Sequence, residues 1–194
     1  MPLQISLMVW PLVVFFAFWA VTWPFAKRTK ERQRLSEWFP YWILFVVAAV
    51  LILVPASVPA FGNIPLLGVQ LAEGSFAPQA FGLALEVLGL CVAIWARVTL
   101  GGNWSSAVAF KENHKLVTSG PYRFVRHPIY TGMMAMFLGV AVYLGAIVSF
   151  LGILFLFASF WIKSRQEERL MEKHFPKEYG KYKKTTKALI PFVY

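Results

Sequence analysis

One uncharged and largely apolar stretch of the sequence runs continuously from Ile129 to Ile162 and contains 34 residues. One α-helix of this length would extend about 51 Å at about 1.5 Å per residue, whereas the hydrocarbon core of a bilayer is only about 30 Å thick. We therefore expect two shorter membrane helices joined by a tight turn at residues 143–146. Gly145 is the natural turn residue, because glycine adopts positive φ angles without strain.

Three further apolar stretches precede this hairpin. Residues 5–26 and 41–61 carry no charge, and residues 78–100 carry only Glu86 and Arg97. Each is long enough to cross a bilayer as a helix. Together with the hairpin they predict an all-α integral membrane bundle of five transmembrane helices. The residues after Ile162 are expected to continue the fifth helix as a cytosolic amphipathic segment, followed by a tail.

The composition excludes several other classes of protein. The chain is 58% hydrophobic and 14% charged, yet its net charge is +10, whereas about a quarter of the residues of a soluble domain are charged. This hydrophobicity excludes a disordered basic chain, and a single cysteine excludes a disulfide framework. Three scattered histidines and one cysteine do not form a zinc site. We expect no nucleic-acid partner, because such binding needs a basic patch on a soluble domain.

The basic residues are concentrated in three segments that alternate with the apolar stretches. All of them except Arg97 fall within residues 27–34, 111–126 and 163–187, whereas the loop 62–77 contains only Glu73 as a charged residue. With five spans, all three basic segments lie on one side of the membrane. The positive-inside rule then predicts an external N-terminus and a cytosolic C-terminus. A four-span alternative would place the last two basic segments on opposite sides.

The polar residues that are suited to chemistry fall on the predicted cytosolic side. Arg126 and His127 directly precede Pro128, which is well placed in the first turn of the fourth helix. The N–H groups and positive dipole end of that helix attract anionic groups. Glu167 and Glu168 lie where the fifth helix is expected to leave the membrane.

Two segments between the third and fifth helices resemble the isoprenylcysteine carboxyl methyltransferase family. They are residues 116–122 (LVTSGPY) and 126–132 (RHPIYTG), and the later Glu167–Glu168 pair and residues 174–182 (HFPKEYGKY) are also similar. The resemblance covers about residues 101–194. A string like the second segment also occurs in membrane phospholipid N-methyltransferases and membrane sterol reductases, but the first segment and the glutamate pair favour the methyltransferases.

The resemblance implies methyl transfer from S-adenosylmethionine to the carboxylate of a prenylated cysteine, or to a related lipophilic acceptor that enters from the bilayer. The product would be S-adenosylhomocysteine. The sequence contains no internal repeat and no low-complexity segment, so we expect one domain, 1–194. Residues 1–100 would supply three spans, and the resemblance implies that residues 101–194 form the cofactor-binding and catalytic half. Carried over to this sequence, the cofactor-binding residues are His114, Lys115, Leu116, Val117, Tyr122, His127, Pro128, Ile129, Tyr130, Glu167 and Glu168.

The family also places an arginine about one helical turn before its glutamate, to hold the acceptor. Counting back from Glu168 gives Ser164, and Arg165 is its neighbour. A carboxylate acceptor is already ionised at pH 7, because its pKa is about 3.5, so the reaction requires positioning but no general base. A cation must hold that carboxylate, and Arg offers a bidentate fork. The candidate catalytic residues are therefore Arg126, Arg165 and Glu167.

Three other functions remain open from the sequence. A phospholipid N-methyltransferase would act on an amine that has to lose a proton, and His127 would be the first candidate base. An NADPH-dependent reductase of the sterol type would need a dense cluster of cations for the phosphates of its cofactor. A non-enzymatic membrane protein could use its basic face to bind anionic headgroups.

Overall fold

The computed structural model describes residues 3–32, 35–57 and 75–190. These segments form six α-helices and two short strands, which confirms the predicted all-α bundle. In chain order they are α1 Leu3–Thr22, β1 Thr29–Arg32, α2 Leu35–Ser57, α3 Phe76–Leu100, β2 Ala109–Lys111, α4 Pro128–Leu144, α5 Ile147–His174 and α6 Pro176–Thr185. Most of the predicted loop 62–77, including Glu73, lies outside the described residues.

The predicted hairpin is formed by α4 and α5. The chain turns at Gly145, which has a φ of 66° and donates its N–H to the carbonyl of Ala141 at 3.0 Å. The 17 residues of α4 extend about 25 Å and the 28 residues of α5 about 42 Å. Within the described residues, four helical segments are long and apolar enough to cross a membrane, and α4 is a shorter apolar helix beside them; the four are Leu7–Phe25, Ser36–Leu53, Phe76–Asn103 and Ile147–His174.

Helices α3 and α4 cross at backbone contact, and glycines make this possible. A Cβ atom on Gly89 would lie 2.5 Å from the carbonyl oxygen of Gly132, and one on Gly139 would lie 2.5 Å from that of Gly82. Small residues at such crossings let membrane helices approach closely. Glu86 is fully buried in the same contact, and its carboxylate oxygens have no hydrogen-bond partner among the described residues.

Helices α2 and α5 form the second large helix contact. Two buried serines of α5 donate hydrogen bonds across it. Ser149 Oγ bonds the carbonyl of Ile52 at 3.2 Å, and Ser159 Oγ bonds the carbonyl of Tyr41 at 2.7 Å. Hydroxyls on membrane helices commonly join neighbouring helices in this way. This contact sets α5, which carries Glu167 and Glu168, beside the first half of the chain.

Two backbone pairings join segments that lie outside the helices. Strand β1 pairs with β2 in an antiparallel ladder, with Thr29 opposite Lys111. Residues 186–190, here termed the C-terminal strap, run beside the start of α4. The N–H groups of Arg126 and His127 donate to the carbonyls of Lys187 and Ala188 at 2.8 and 3.0 Å. These pairings join segments distant in sequence, and the sequence did not predict them.

Candidate active site

A cavity of about 500 Å³ lies between the first two helices, the segment before α4, the start of α4, α5 and α6. This volume is within the range of small-molecule sites, about 300–1,000 Å³. Part of its wall is aromatic and comes from the first half of the chain: Phe15, Phe16, Trp19, Trp23, Tyr41, Trp42 and Phe45. The rest carries polar side chains from the second half, so the cavity is amphipathic.

His127 occupies the residue before α4, where Pro128 restricts the backbone to a non-helical conformation (φ −124°, ψ 60°). Its imidazole lies between two carboxylates of α5. Nδ1 is 3.4 Å from Glu167 Oε2, and Nε2 is 3.4 Å from Glu168 Oε1. Burial lowers the pKa of His127, but the hydrogen bonds and charges of the two glutamates outweigh burial, so its pKa is raised above the usual value.

Arg126 points away from the centre of the cavity toward Glu168 and the strap. Its Nε and Nη2 lie 2.9 and 2.6 Å from Glu168 Oε1, and its Nη1 donates to the carbonyl of Thr186. The other oxygen of Glu168 lies 3.2 Å from Lys183 Nζ. Arg126, His127, Glu167 and Glu168 are termed the carboxylate cluster below. This cluster ties α4, α5 and α6 together.

Among the described residues that line the cavity, the acidic one is Glu167. Its Oε1 accepts a hydrogen bond of 2.5 Å from the hydroxyl of Tyr130. The Tyr130 ring is in turn stacked between His127 at 5.6 Å and Phe160 at 4.8 Å, which fixes its orientation. Glu167 keeps 24% of its side chain exposed, whereas Glu168 keeps 3%. A ligand in the cavity therefore meets Glu167 and not Glu168.

Lys163 lies on the cavity wall one helical turn before Glu167. Its Nζ donates to the carbonyl of Ser106 at 2.7 Å and lies 5.5 and 5.4 Å from the ring centroids of Tyr41 and Tyr130. Sequence reasoning missed this residue. The signal was the i, i+4 spacing to Glu167, which places both side chains on one face of α5.

A second histidine, His114, contributes to the wall in different surroundings. Its ring stacks on Phe110 at 4.9 Å, and Phe110 stacks on His174 at 3.7 Å. These three residues are termed the aromatic stack. Burial, together with the positive charges of Lys27, His174 and Lys111, lowers the pKa of His114 to about 4. The imidazole of His114 is therefore neutral at pH 7.

Nine of the residues predicted from sequence lie on the cavity wall, and four do not. The nine are His114, Leu116, Val117, Tyr122, Arg126, His127, Ile129, Tyr130 and Glu167. Lys115 is exposed, Pro128 is buried in the start of α4, and Glu168 lies behind Glu167. The fourth, Arg165, is exposed and stacks on Trp161 at 5.0 Å, because two residues along a helix from Lys163 the side chain points to the opposite side.

Two tyrosines of α6 also contribute to the wall, Tyr179 and Tyr182. The hydroxyl of Tyr182 donates to the carbonyl of Tyr122, and this contact holds α6 against the short 3₁₀ turn Gly120–Arg123. Burial raises the pKa of both Tyr122 and Tyr182, so both phenols stay protonated. Residues 174–182 resemble the family in sequence, but the sequence did not indicate this contact.

Comparisons with known proteins agree on one family. Residues 78–178 match the family model described as phospholipid methyltransferase. A probable protein-S-isoprenylcysteine O-methyltransferase of Oryza sativa subsp. indica is 31% identical over 131 residues, which cover 66% of this chain and 68% of the relative. The protein-S-isoprenylcysteine O-methyltransferase of Mus musculus is 33% identical over 118 residues, covering 59% of this chain and 42% of the relative.

A solved structure supports the same fold. The eukaryotic intramembrane Ras methyltransferase, an isoprenylcysteine carboxyl methyltransferase, superposes with a TM-score of 0.63 at 23% identity. The match covers 98% of this chain and 65% of that chain. This chain thus spans about two thirds of the solved protein, and between 42% and 68% of the two curated relatives.

Proposed function

The chain belongs to the phospholipid methyltransferase family and, within it, to the isoprenylcysteine O-methyltransferases, and from this membership we propose that it transfers a methyl group from S-adenosylmethionine to the carboxylate of a prenylated cysteine or a related lipophilic acid. One observation carries the proposal. A carboxylate, Glu167, and an amine, Lys163, lie one helical turn apart on the wall of a cavity whose other side, supplied by α1 and α2, is aromatic.

The cavity suits the donor in size and in polar groups. The donor's methionine part carries a sulfonium and an ammonium, and Glu167 supplies a partly exposed carboxylate for a cationic group. His114 supplies a buried Nδ1 atom that has no hydrogen-bond partner among the described residues. When bound, S-adenosylmethionine supplies the electrophilic methyl group, and the residues of the second half hold it.

The acceptor would meet a cation and an apolar surface. We assign Lys163 to the acceptor carboxylate, in place of Arg165, since Lys163 lies on the wall and Arg165 does not. The aromatic side chains of α1 and α2 would contact the lipid and exclude water. Catalysis then rests on aligning the carboxylate oxygen with the methyl group in a water-poor site, which requires no general base.

Two alternatives fit the site less well. An amine acceptor needs a base, but His127 lies between two carboxylates that raise its pKa, which favours the protonated and non-basic form. A reductase needs cations for the phosphates of NADPH, but Arg126, a cation of the described wall, is already paired with Glu168 at 2.6 Å.

The first experiment separates methyl transfer from reduction. Calorimetric titration of the detergent-solubilised protein with S-adenosylhomocysteine is expected to give micromolar binding, and titration with NADPH no heat. The purified protein should also methylate an N-acetylated S-farnesyl cysteine and leave its carboxamide unmodified. Binding of NADPH alone, or equal methylation of acid and carboxamide, would overturn the proposal.

The role of Lys163 is tested by measuring the KM for the acceptor and the affinity for the donor separately. Lys163→Met should raise the KM for the acceptor about tenfold or more, as expected for a lost charged hydrogen bond of about 1.5–3 kcal/mol, with donor affinity retained. Lys163→Arg should restore most of the acceptor affinity. Lys177→Met is the matched control, because Lys177 is exposed on α6 and lies outside the cavity wall. A lowered donor affinity in Lys163→Met would contradict the assignment.

The topology completes the proposal, with the N-terminus outside and the C-terminus and cavity on the cytosolic side. It rests on the basic segments and on five apolar helices. Exposed Ser75 directly precedes α3, and exposed Lys184 lies in the last turn of α6. In a Cys91→Ser background, a membrane-impermeant thiol reagent should label Ser75→Cys from outside and Lys184→Cys from the cytosol. Labelling of both from one side would contradict five spans.

A further inference from the structure

Lys27 lies shortly after α1 and joins the first half of the chain to one wall of the cavity. Its backbone N–H donates to the carbonyl of Gly102 at 2.9 Å, and its Nζ donates to Asn103 Oδ1 at 2.9 Å and to the carbonyl of Asn113 at 3.0 Å. Residues 103–113 are termed the wall loop below. Because Asn103 and Asn113 are its first and last residues, a single ammonium group holds the two ends of the wall loop together.

The wall loop supplies part of the cavity lining. Its lining residues are Asn103, Trp104, Ser105, Ser106, Ala107 and Ala109. Lys163 holds the loop at the carbonyl of Ser106, and the pairing of β1 with β2 holds residues 109–111. The hydrogen bonds of Lys27 Nζ lie instead at the two ends, so the closure of the loop depends on this side chain.

The end of the wall loop at Asn113 leads directly into the next part of the lining. Asn113 has a φ of 50°, a left-handed conformation that residues other than glycine rarely adopt, although asparagine is among those that tolerate it. This turn carries the chain from β2 into His114, Leu116 and Val117, which line the cavity. The hydrogen bond to the carbonyl of Asn113 therefore fixes the point from which these lining residues start.

The surroundings of Lys27 fit a clamp better than a solvated surface charge. Lys27 is half-buried, whereas Arg28 and Lys30 are exposed. Its stem packs on Gly102, where a Cβ atom would lie 3.0 Å from Lys27 Cγ. Hydrogen bonds from an ammonium group are stronger than those between neutral groups. Lys27 also lies outside residues 78–178, which match the family model, so the match to the family assigns it no role.

We propose that Lys27 is a positioning residue for the methyl donor, because its ammonium group closes the wall loop and so holds that wall in place before the donor binds. The inference rests on the proposed function, since it takes S-adenosylmethionine as the ligand. Preorganisation of this kind raises affinity by reducing the ordering that binding requires. The acceptor should respond much less, because Lys163 is held separately through Ser106.

The first test removes the ammonium group and measures the two substrates separately. Lys27→Met keeps the apolar stem, and calorimetry on the detergent-solubilised full-length protein should give at least tenfold weaker binding of S-adenosylhomocysteine, as expected for lost charged hydrogen bonds. At saturating donor, the KM for an N-acetylated S-farnesyl cysteine should stay within about threefold of wild type. Unchanged donor affinity, or an equal effect on both substrates, would overturn the inference.

Two further variants separate the contact from the mere presence of a charge near the membrane. Lys27→Arg also offers several N–H donors and should restore donor affinity to within about threefold of wild type. Lys30→Met is the matched control, because Lys30 is exposed on the neighbouring strand β1, and it should bind the donor as wild type does. A loss in Lys27→Arg or in Lys30→Met as large as that in Lys27→Met would contradict the clamp.

The partner residue Asn103 gives a test that does not depend on the stability of the Lys27 variants. Asn103→Asp keeps an oxygen that accepts from Lys27 and Asn103→Ala removes it, so the donor should bind more weakly to Asn103→Ala. Lys27→Met combined with Asn103→Ala should bind the donor no more weakly than Lys27→Met alone, because both changes remove one contact. Equal binding by the two Asn103 variants, or additive losses in the double variant, would overturn the inference. Failure of wild-type protein to bind S-adenosylhomocysteine would overturn the proposed function as well.

Discussion

The carboxylate cluster and the aromatic stack each place a histidine on the wall of the same cavity, and they shift the pKa of that histidine in opposite directions. His127 lies within 3.4 Å of two glutamates, whereas His114 lies among positively charged groups and stacks on Phe110. Desolvation disfavours the charged form of both rings, but only the cluster supplies opposite charges that overcome it. The comparison teaches that, where burial acts in the same direction on both rings, the sign of the nearby charge decides whether the pKa of a histidine ends above or below its usual value.

The largest expected effect comes from breaking the cluster at Arg126. Arg126→Ala leaves Glu168, whose side chain is 3% exposed, without its guanidinium partner. Breaking a buried ion pair on one side costs about 3–5 kcal/mol. The apparent melting temperature in detergent should fall strongly, and Arg126→Met combined with Glu168→Met should recover part of the loss. A single variant as stable as wild type would show that the cluster does not stabilise the fold.

The next largest effect is expected at Glu167, the glutamate of the carboxylate cluster that faces the cavity. Glu167→Gln keeps the shape but removes the charge that we assign to the donor, and it should weaken binding of S-adenosylmethionine about tenfold to hundredfold, as expected for charged hydrogen bonds of about 1.5–3 kcal/mol. Equilibrium binding measures it. Glu172→Gln, on the same helix but 43% exposed and paired with Lys183, is the control and should bind normally. Equal loss in both would indicate a general effect of charge.

The pH dependence of stability tests the comparison directly. The pKa of His127 is raised, so its contribution is fully present below the unfolded value of about 6.5 and is lost as pH rises through the folded pKa. The pKa of His114 is lowered to about 4, so its contribution is present above about pH 6.5 and is lost as pH falls toward 4.

The two variants should therefore show opposite trends in melting temperature between pH 5 and pH 8.5. His127→Gln should be most destabilising at the acidic end of this range. His114→Asn should lose least, relative to wild type, at that same end. Parallel curves for the two variants would remove the electrostatic distinction between the two regions.

The smallest effect is expected at the exposed edge of the aromatic stack. Hydrogen bonds from Lys173 and His174 lower the pKa of Glu31, but its side chain is 38% exposed. Exposed ion pairs contribute little, because water screens them. Glu31→Gln should shift the melting temperature less than any variant above, while donor binding stays close to wild type. A shift as large as that of Arg126→Ala would show that the stack, too, depends on charge.

Much of the fold follows from the sequence, because membrane helices are specified by local composition. The turn at Gly145 and the end of α5 before Pro176 were both predictable from one residue type each. The string around His127 indicated the site, since a proline-led helix start fixes that backbone locally. These predictions needed no knowledge of which helices pack together.

The remainder depends on distant segments, and local patterns do not encode it. Lys163 reaches the cavity because the phase of α5 is set by packing on α2, and the same phase turns Arg165 outward. Arg126 is occupied by Glu168 and the C-terminal strap, which only the folded chain brings together. The pairing of β1 with β2 joins residues about 80 positions apart, and short strands of this kind carry little sequence signal.

The glycine contacts between α3 and α4 have a consequence for biogenesis. Gly82 and Gly89 meet Gly139 and Gly132 at backbone distance, and this association needs no other helix. The pair can therefore form as soon as α4 has entered the bilayer, before α5 has been synthesised. Bulky substitutions at these glycines would then act during insertion, reducing the yield of assembled protein, whereas substitutions around the cavity would act on molecules that have already assembled.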